Sequence, residues 1–158
     1  QLYDIASLFD HINDLTVVAD TFHKFAKVEL AYRHLDTANI KQVLDDIYHT
    51  SLCICLKGQT DKKNFNLLQE GIKRIQNFIH SERYELDKAI IDASKTAYLS
   101  VLITNNLTGI EYFDRSDISD LQHAIIESPL PTKLNKLKKT NIEAFYYWIK
   151  INEIMKDK

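Results

Sequence analysis

The run Ala97-Tyr-Leu-Ser-Val-Leu-Ile103 decides the fold class, because it is apolar at nearly every position. A helix over these residues has apolar side chains on almost every side of its axis, so it must be buried on several sides. Just before it, Ala89, Ala93 and Ala97 place small residues on one face, where another helix can come close. The pattern predicts a central helix over about 82–104, surrounded by other helices.

On both sides of this run, apolar residues recur at intervals of three and four, which is the period of an amphipathic helix. One stripe predicts a helix that Asn13 or Asp14 caps and that runs to about Tyr32; its members are Leu15, Val18, Phe22, Phe25, Val28 and Tyr32. The most regular stripe follows Thr60 or Asp61 as cap; its members are Phe65, Leu68, Ile72, Ile75 and Ile79. Gly71 lies inside that helix and is expected to allow close approach of a neighbour.

The remaining segments also have the marks of helices. A helix from Ile40 ends at Gly58, where a glycine is typical just past the last turn. We expect short helices after Ser116 and over 132–139, and a final helix that begins with the capping box Thr140-Asn-Ile-Glu143. Three glycines and two prolines leave few turns for a sheet. The prediction is therefore an all-α bundle of seven or eight helices with no sheet.

Length and termini indicate one helical domain, 1–158, that is a fragment of a longer protein, although removal of a leader would give the same start; the resemblance described below implies that it is the C-terminal part. The chain has 158 residues, begins with Gln1 and has its only methionine at Met155. A chain of this length can bury a sizeable core. The apolar runs are too short for a membrane span, so no membrane partner is expected.

The cysteines and the charge distribution indicate the compartment of the protein and the kinds of partner it could bind. Cys53 and Cys55 point in divergent directions on a helix, so we interpret them as buried free thiols in a reducing compartment, which predicts a cytoplasmic protein. The net charge is −2, yet residues 133–158 have seven lysines against three acids. That basic tail is compatible with a phosphate backbone, although solvation of a surface helix explains it better.

The common catalytic signatures are missing from this sequence. Its six histidines do not form the two-histidine pattern of zinc hydrolases, and three single glycines cannot make a phosphate-binding loop. No Gly-x-Ser-x-Gly motif is present. We therefore expect no metal site and no catalytic residues with a recognisable signature in this chain.

One pair of residues suggests a different activity. The stretch Arg74-Ile-Gln-Asn-Phe-Ile-His80 resembles the Arg-x4–6-His motif of HEPN domains, helical bundles of which some cut RNA. The resemblance implies that His80 acts as acid and base at an RNA 2′-hydroxyl while Arg74 steadies the phosphate. A HEPN-like ribonuclease using Arg74 and His80 is thus an alternative function.

The opening segment carries the main resemblance. Leu2-Tyr-Asp-Ile-Ala-Ser-Leu-Phe-Asp10 predicts a short amphipathic helix that is too short to be stable alone and must dock on something. It resembles the segment of AbiEii/AbiGii-family toxins where the catalytic nucleotidyltransferase domain passes into the helical domain. The matched residues are Leu2, Tyr3, Asp4 and Ile5.

That resemblance implies a helical C-terminal domain of a bacterial nucleotidyltransferase of the toxin-like class, not catalytic alone. It implies an upstream catalytic domain that holds Mg²⁺ and a nucleoside triphosphate, an antitoxin partner, and tRNA or another nucleotide acceptor. Asp4 would face the cleft and help bind substrate; alternatively it is an acid in the first turn, favoured there by the helix dipole. A homodimer is a further possibility for the separate domain.

A third hypothesis needs no catalysis. Tyr112, Phe113 and the aromatic residues from Phe145 to Trp148 are candidates for an exposed surface of a helical protein-interaction module. Aromatic residues of this kind are enriched where proteins bind one another.

Overall fold

The computed structural model describes residues 2–79 and 83–157, and that part of the chain is helical without any strand. The all-α prediction is therefore confirmed, with eight α-helices. Their bounds are α1 Leu2–Phe9, α2 Leu15–Tyr32, α3 Ile40–Cys55, α4 Lys62–Ile75, α5 Leu86–Thr104, α6 Ile118–Leu121, α7 Leu137–Thr140 and α8 Ile142–Lys156. Two 3-10 turns, Arg115–Asp117 and Thr132–Lys136, precede α6 and α7. Within the described ranges, no helix combines the length and the apolar character that crossing a membrane requires.

Helix α5 is the centre of the bundle, as its apolar run predicts. It packs against α1, α3 and α8, and its residues from Asp92 to Ile103 are all buried. Ala93 and Ala97 are completely buried, which is the close packing expected of a row of small residues. The helix begins at Leu86, and 80–82, where the sequence places its start, lie outside the described residues.

Aspartate side chains cap the N-termini of α2 and α4 at positions that the sequence predicts. The carboxylate of Asp14 accepts a hydrogen bond from the Thr16 amide at 2.8 Å, and that of Asp61 accepts one from the Asn64 amide at 2.9 Å. Ser116 is not a cap, because Asp114 takes that role and accepts from the Ser116 amide at 2.8 Å. The 132–139 segment is divided between a 3-10 turn and α7.

The capping box predicted for α8 does not form. Asn141 caps the helix, since its side-chain oxygen accepts a hydrogen bond from the Ala144 amide at 3.2 Å. Glu143 instead pairs with the ammonium of Lys95, 3.2 Å away on α5. A carboxylate near a largely buried cation gains more there than at a helix end, which explains the change of partner.

Only the N-terminal half of the apolar stripe of α2 is buried against the rest of the protein. Leu15 is buried and Phe22 half-buried, but Phe25, Val28 and Tyr32 are 68%, 65% and 83% exposed. In the second half of the helix, the face turned toward the rest of the protein has Ala26 and Leu30 instead. The C-terminal half of α2 therefore presents apolar side chains on two faces, one of them in solvent.

Two glycines give opposite predictions for stability. Gly58 has φ +77°, and a Cβ there would lie 2.6 Å from the Cβ of Phe65, so Gly58→Ala should destabilise the protein by about 2 kcal/mol. Around Gly71 there is open space, which contradicts the expected close neighbour; Gly71→Ala should stabilise α4 by about 1 kcal/mol. Urea unfolding of both variants measures the two changes, and a loss of stability in each would contradict this assignment.

Candidate functional site

An apolar groove of about 590 Å³ lies between α1, α2, α3 and α5. This volume is in the range of sites that bind ligands or parts of partner proteins. Apolar side chains make up most of its lining; they are Ile5, Leu8, Ile12, Val17, Val18, Phe22, Leu44, Ile47, Leu99 and Ile103. At its edges, Leu8 is 67% and Val17 60% exposed. The groove is open to solvent and has apolar residues at its mouth.

Three of the six polar residues that line the groove hydrogen-bond to backbone groups close to them in the chain. Thr96 donates its hydroxyl hydrogen to the Asp92 carbonyl, and Ser100 donates to the Ala97 carbonyl, each at 2.8 Å. Asp14 accepts the capping bond of α2. These bonds reduce the polar character of the groove, so the surface suits an apolar occupant better than a charged substrate.

Helix α1 forms one wall of the groove and is anchored on its other side. Phe9 is completely buried, and its ring lies 5.4 Å from that of Tyr147, 5.5 Å from that of Tyr112 and 6.3 Å from that of Tyr98. The Tyr112 hydroxyl donates to the Ile12 carbonyl at 2.6 Å. One face of α1 is thus held by aromatic packing while Leu8 on another face remains in solvent.

An ion cluster holds the end of the same helix. Lys95 on α5 is 5% exposed, and its ammonium donates to both carboxylate oxygens of Asp10 at 2.8 Å. Glu143 of α8 lies 3.2 Å from the same nitrogen. Burial lowers the pKa of Lys95, but the hydrogen bond to Asp10 and the charge of Glu143 outweigh it, so the pKa is raised. The cluster therefore joins α5, α8 and the chain just after α1 through one charged lysine.

The tyrosines around this region should make the protein unstable at high pH. Burial raises the pKa of Tyr48 and of Tyr146 to about 12, and it also raises the pKa of Tyr147 and Tyr98. In the unfolded chain these groups ionise near pH 10, so the unfolded state loses protons first as the pH rises. Stability should be unaffected by these tyrosines below about pH 9 and fall above pH 10, by at most about 1.4 kcal/mol per pH unit for each group until the pH reaches its folded-state pKa.

Urea unfolding at a series of pH values, with tyrosinate absorbance recorded for the folded protein, measures this loss. Tyrosinate absorbance that develops fully near pH 10 without unfolding would contradict the burial argument.

The residues predicted from sequence do not come together in this groove. Asp4 is exposed on α1 and is not among the described residues that line the groove. Arg74 is exposed on α4, with its guanidinium 3.7 Å from the Glu70 carboxylate. Helix α4 ends at Ile75, so the predicted helix shared by Arg74 and His80 does not continue through that interval. His80 lies outside the described residues, and its role with Arg74 stays a prediction.

The aromatic surface of the third hypothesis is wrong in its larger part. Phe145 and Trp148 are completely buried and Tyr147 is 1% exposed, because α8 packs this face against α5 and the neighbouring core. Tyr112 is 39% exposed, but its hydroxyl and ring are used in holding α1. Phe145 to Trp148 are core residues and are not available to a partner.

A second cavity, also of about 590 Å³, lies where the α4 end meets the α5 start. Its lining mixes charges of both signs with apolar residues and includes Lys73, Arg83, Glu85 and Asp87. Within the described part of the chain, no group of three or more histidine, cysteine, aspartate or glutamate side chains is placed to hold a metal ion.

Comparison with known proteins adds no relative to this description. No family model, no curated protein and no solved structure matches the chain. The groove, the helix beside it and the resemblance of the opening segment are therefore the features that bear on function.

Two features of the site were missed by sequence reasoning. Leu8 and Val17 are large apolar residues of the kind usually found in a core, so the sequence contains no sign that they stay in solvent beside a groove. Lys95 did have a signal, since it is the single basic residue between Ala89 and Ile103, where all other residues except Asp92 are apolar or small. A lysine in such a position needs a carboxylate partner when it is buried.

Proposed function

We propose that this chain is a helical domain that docks on a catalytic neighbour, the nucleotidyltransferase domain of a bacterial protein of the AbiEii/AbiGii toxin class. The observation that supports this most directly is the apolar groove beside α1. Ile5 and Leu8, which line it, belong to the segment that resembles the passage from catalytic to helical domain in that family. The groove and the resemblance therefore coincide on one short helix.

The surface is suited to contact with a folded domain. Leu8 and Val17 are large apolar side chains in solvent on either side of the groove mouth. Apolar patches of this kind mark association surfaces, because covering them removes apolar area from water. The lining has few groups able to transfer protons, which favours binding over catalysis at this site.

In this proposal the neighbour supplies the chemistry. The upstream domain would hold Mg²⁺ and the nucleoside triphosphate, and the helical domain would close the acceptor side of the cleft. Asp4, exposed on α1, would present a carboxylate near that cleft. The lysines of the C-terminal region would attract a tRNA-like acceptor over the roughly 8–10 Å that salt screening permits. A toxin of this class would act in the cytoplasm and be restrained by an antitoxin.

The coding sequence before the Gln1 codon provides the first test. We expect it to encode a Gly-Ser followed by an Asp-x-Asp pair, the signature of the catalytic domain. A start codon immediately before Gln1 would contradict the proposal, whatever the properties of the groove.

Nucleotide transfer by the protein that includes both domains provides the second test. Leu8→Glu introduces a charge into the apolar contact, and we expect transfer to fall about tenfold or more, equivalent to about 1.4 kcal/mol of lost docking energy. Leu67→Glu is the matched control, because Leu67 is 62% exposed on α4 and does not line the groove. Equal activity of the two variants would exclude docking through this groove.

A further inference from the structure

The C-terminal half of α2 has an apolar face that the groove does not include. Phe25, Val28 and Tyr32 are each more than 60% exposed, and none of them lines the groove. Three large apolar side chains on one helix face form a patch on the order of a few hundred Å², the size at which an exposed surface usually has a binding role. Something is therefore expected to cover this face of α2.

The spacing of the face is that of a coiled-coil seam. Thr21, Phe25, Val28 and Tyr32 follow one another at intervals of four, three and four, which are the core positions of a heptad repeat. On the other side of the helix, Ala26 and Leu30 are buried against the protein. The seam therefore points away from the bundle and is placed to meet a second helix.

The charges beside the seam favour a second copy of the same helix, in parallel orientation, as the partner. With Phe25 and Val28 at core positions a and d, Lys24 takes position g and Glu29 takes position e. In a parallel pair of identical helices, position g of one chain lies beside the following position e of the other. Lys24 of each copy therefore lies beside Glu29 of the other copy, which gives two ion pairs. An antiparallel pair would place Lys24 near Ala31 and Glu29 near Phe22, without opposite charges.

We infer that α2 is a dimerisation helix that pairs in parallel with α2 of a second copy of this chain, through Phe25, Val28 and Tyr32. The inference does not depend on the proposed nucleotidyltransferase function. The seam has only about two heptads, so the interface is at the small end of specific ones and its Kd is expected to be micromolar rather than nanomolar.

Sedimentation equilibrium of the 158-residue chain tests the dimer directly. We expect a concentration-dependent monomer–dimer equilibrium that the double variant Phe25→Ser/Tyr32→Ser weakens at least about tenfold. The matched control is Leu67→Ser/Phe78→Ser, which removes side chains 62% and 80% exposed away from α2 and should leave the dimer unchanged. A wild-type chain that stays monomeric at high concentration, as it would if another protein covered this face, overturns the inference. Equal weakening by both double variants does so too.

A charge exchange tests the parallel orientation. Lys24→Glu and Glu29→Lys should each weaken the dimer several-fold, and the double variant Lys24→Glu/Glu29→Lys should restore it. Glu29 also pairs with Arg33 of its own chain at 3.7 Å. This intrachain pair is lost both in Glu29→Lys and in the double variant, so the difference between those two variants reports only the contact between chains. Failure of the double variant to restore association contradicts the parallel pairing.

Oxidative cross-linking gives an independent measurement of register. Val28→Cys places a thiol at a core position, where the two copies of a parallel dimer face each other, so a covalent dimer should form readily. Lys27→Cys is the control, because position 27 lies on another face of the helix and should not cross-link. The natural Cys53 and Cys55 are buried and do not compete. Cross-linking of Lys27→Cys as fast as Val28→Cys would overturn the inference. These substitutions in α2 leave α1 and Leu8 unchanged. A failure of the dimer inference can therefore be distinguished from a failure of the docking proposal, which Leu8→Glu tests.

Discussion

Phe9→Ala is expected to lower the free energy of unfolding by about 3–5 kcal/mol, the usual cost of removing a buried aromatic ring. Phe9 has no exposed surface, and three tyrosine rings surround it, those of Tyr98, Tyr112 and Tyr147. A helix of eight residues has too few internal hydrogen bonds to be stable alone, so α1 depends on this anchor. We therefore expect α1 to detach before the rest of the protein unfolds.

Urea unfolding measures the loss, and amide hydrogen exchange in α1 reports the detachment. Leu8→Ala is the matched control, because Leu8 is the adjacent residue of the same helix and is 67% exposed. Its effect should stay within about 0.5 kcal/mol, as for most surface substitutions. Similar losses for the two variants would mean that α1 is held by something other than the aromatic contact.

Lys95→Met is expected to destabilise the protein by about 2 kcal/mol, since it leaves two carboxylates close together without their shared cation. Methionine preserves most of the side-chain volume, so lost packing contributes little. Asp10 is 51% and Glu143 30% exposed at their side chains, and this solvent contact keeps the loss below that of a fully buried pair. Removing one acid as well, in Lys95→Met/Glu143→Gln, should recover part of the stability.

The same variant has a characteristic pH dependence. Because the folded-state pKa of Lys95 is raised above the unfolded value, its contribution is fully present below the unfolded pKa of about 10.4 and is lost as the pH rises through the folded pKa. The difference in unfolding free energy between wild type and Lys95→Met should be constant up to about pH 10 and diminish above it. A difference that persists unchanged in strong alkali would show that packing, not charge, is what Lys95 contributes.

Local patterns were sufficient for most of the secondary structure. The stripe from Phe65 to Ile79 and the run from Ala97 to Ile103 are buried or half-buried as predicted. Asp14 and Asp61 cap the starts of α2 and α4, and Gly58 lies past the end of α3, where their chemistry indicates. Such features depend on residues a few positions apart, so they can be inferred without knowing the rest of the molecule. The capping box that does not form at Thr140 shows where local patterns fail. Glu143 pairs instead with Lys95 of α5, which is far away in sequence.

The candidate sites were less predictable. The resemblance of the opening segment points to Asp4 and the spacing to His80 points to Arg74, and the structure leaves both at exposed positions outside the groove. The groove itself is formed by residues from α1, α2, α3 and α5, which no local pattern connects. Its existence depends on how those helices pack, so it became visible only with the tertiary structure.

The sequence by itself determined that this protein is all-α, with an apolar central helix, because periodicity and capping are properties of neighbouring residues. Only the tertiary structure decided which apolar stripes are buried. Phe22 and Phe25 are both large and apolar and lie on the same stripe, yet one packs in the groove and the other remains in solvent. The reason is that burial depends on whether another helix lies opposite, and that depends on contacts between distant parts of the chain.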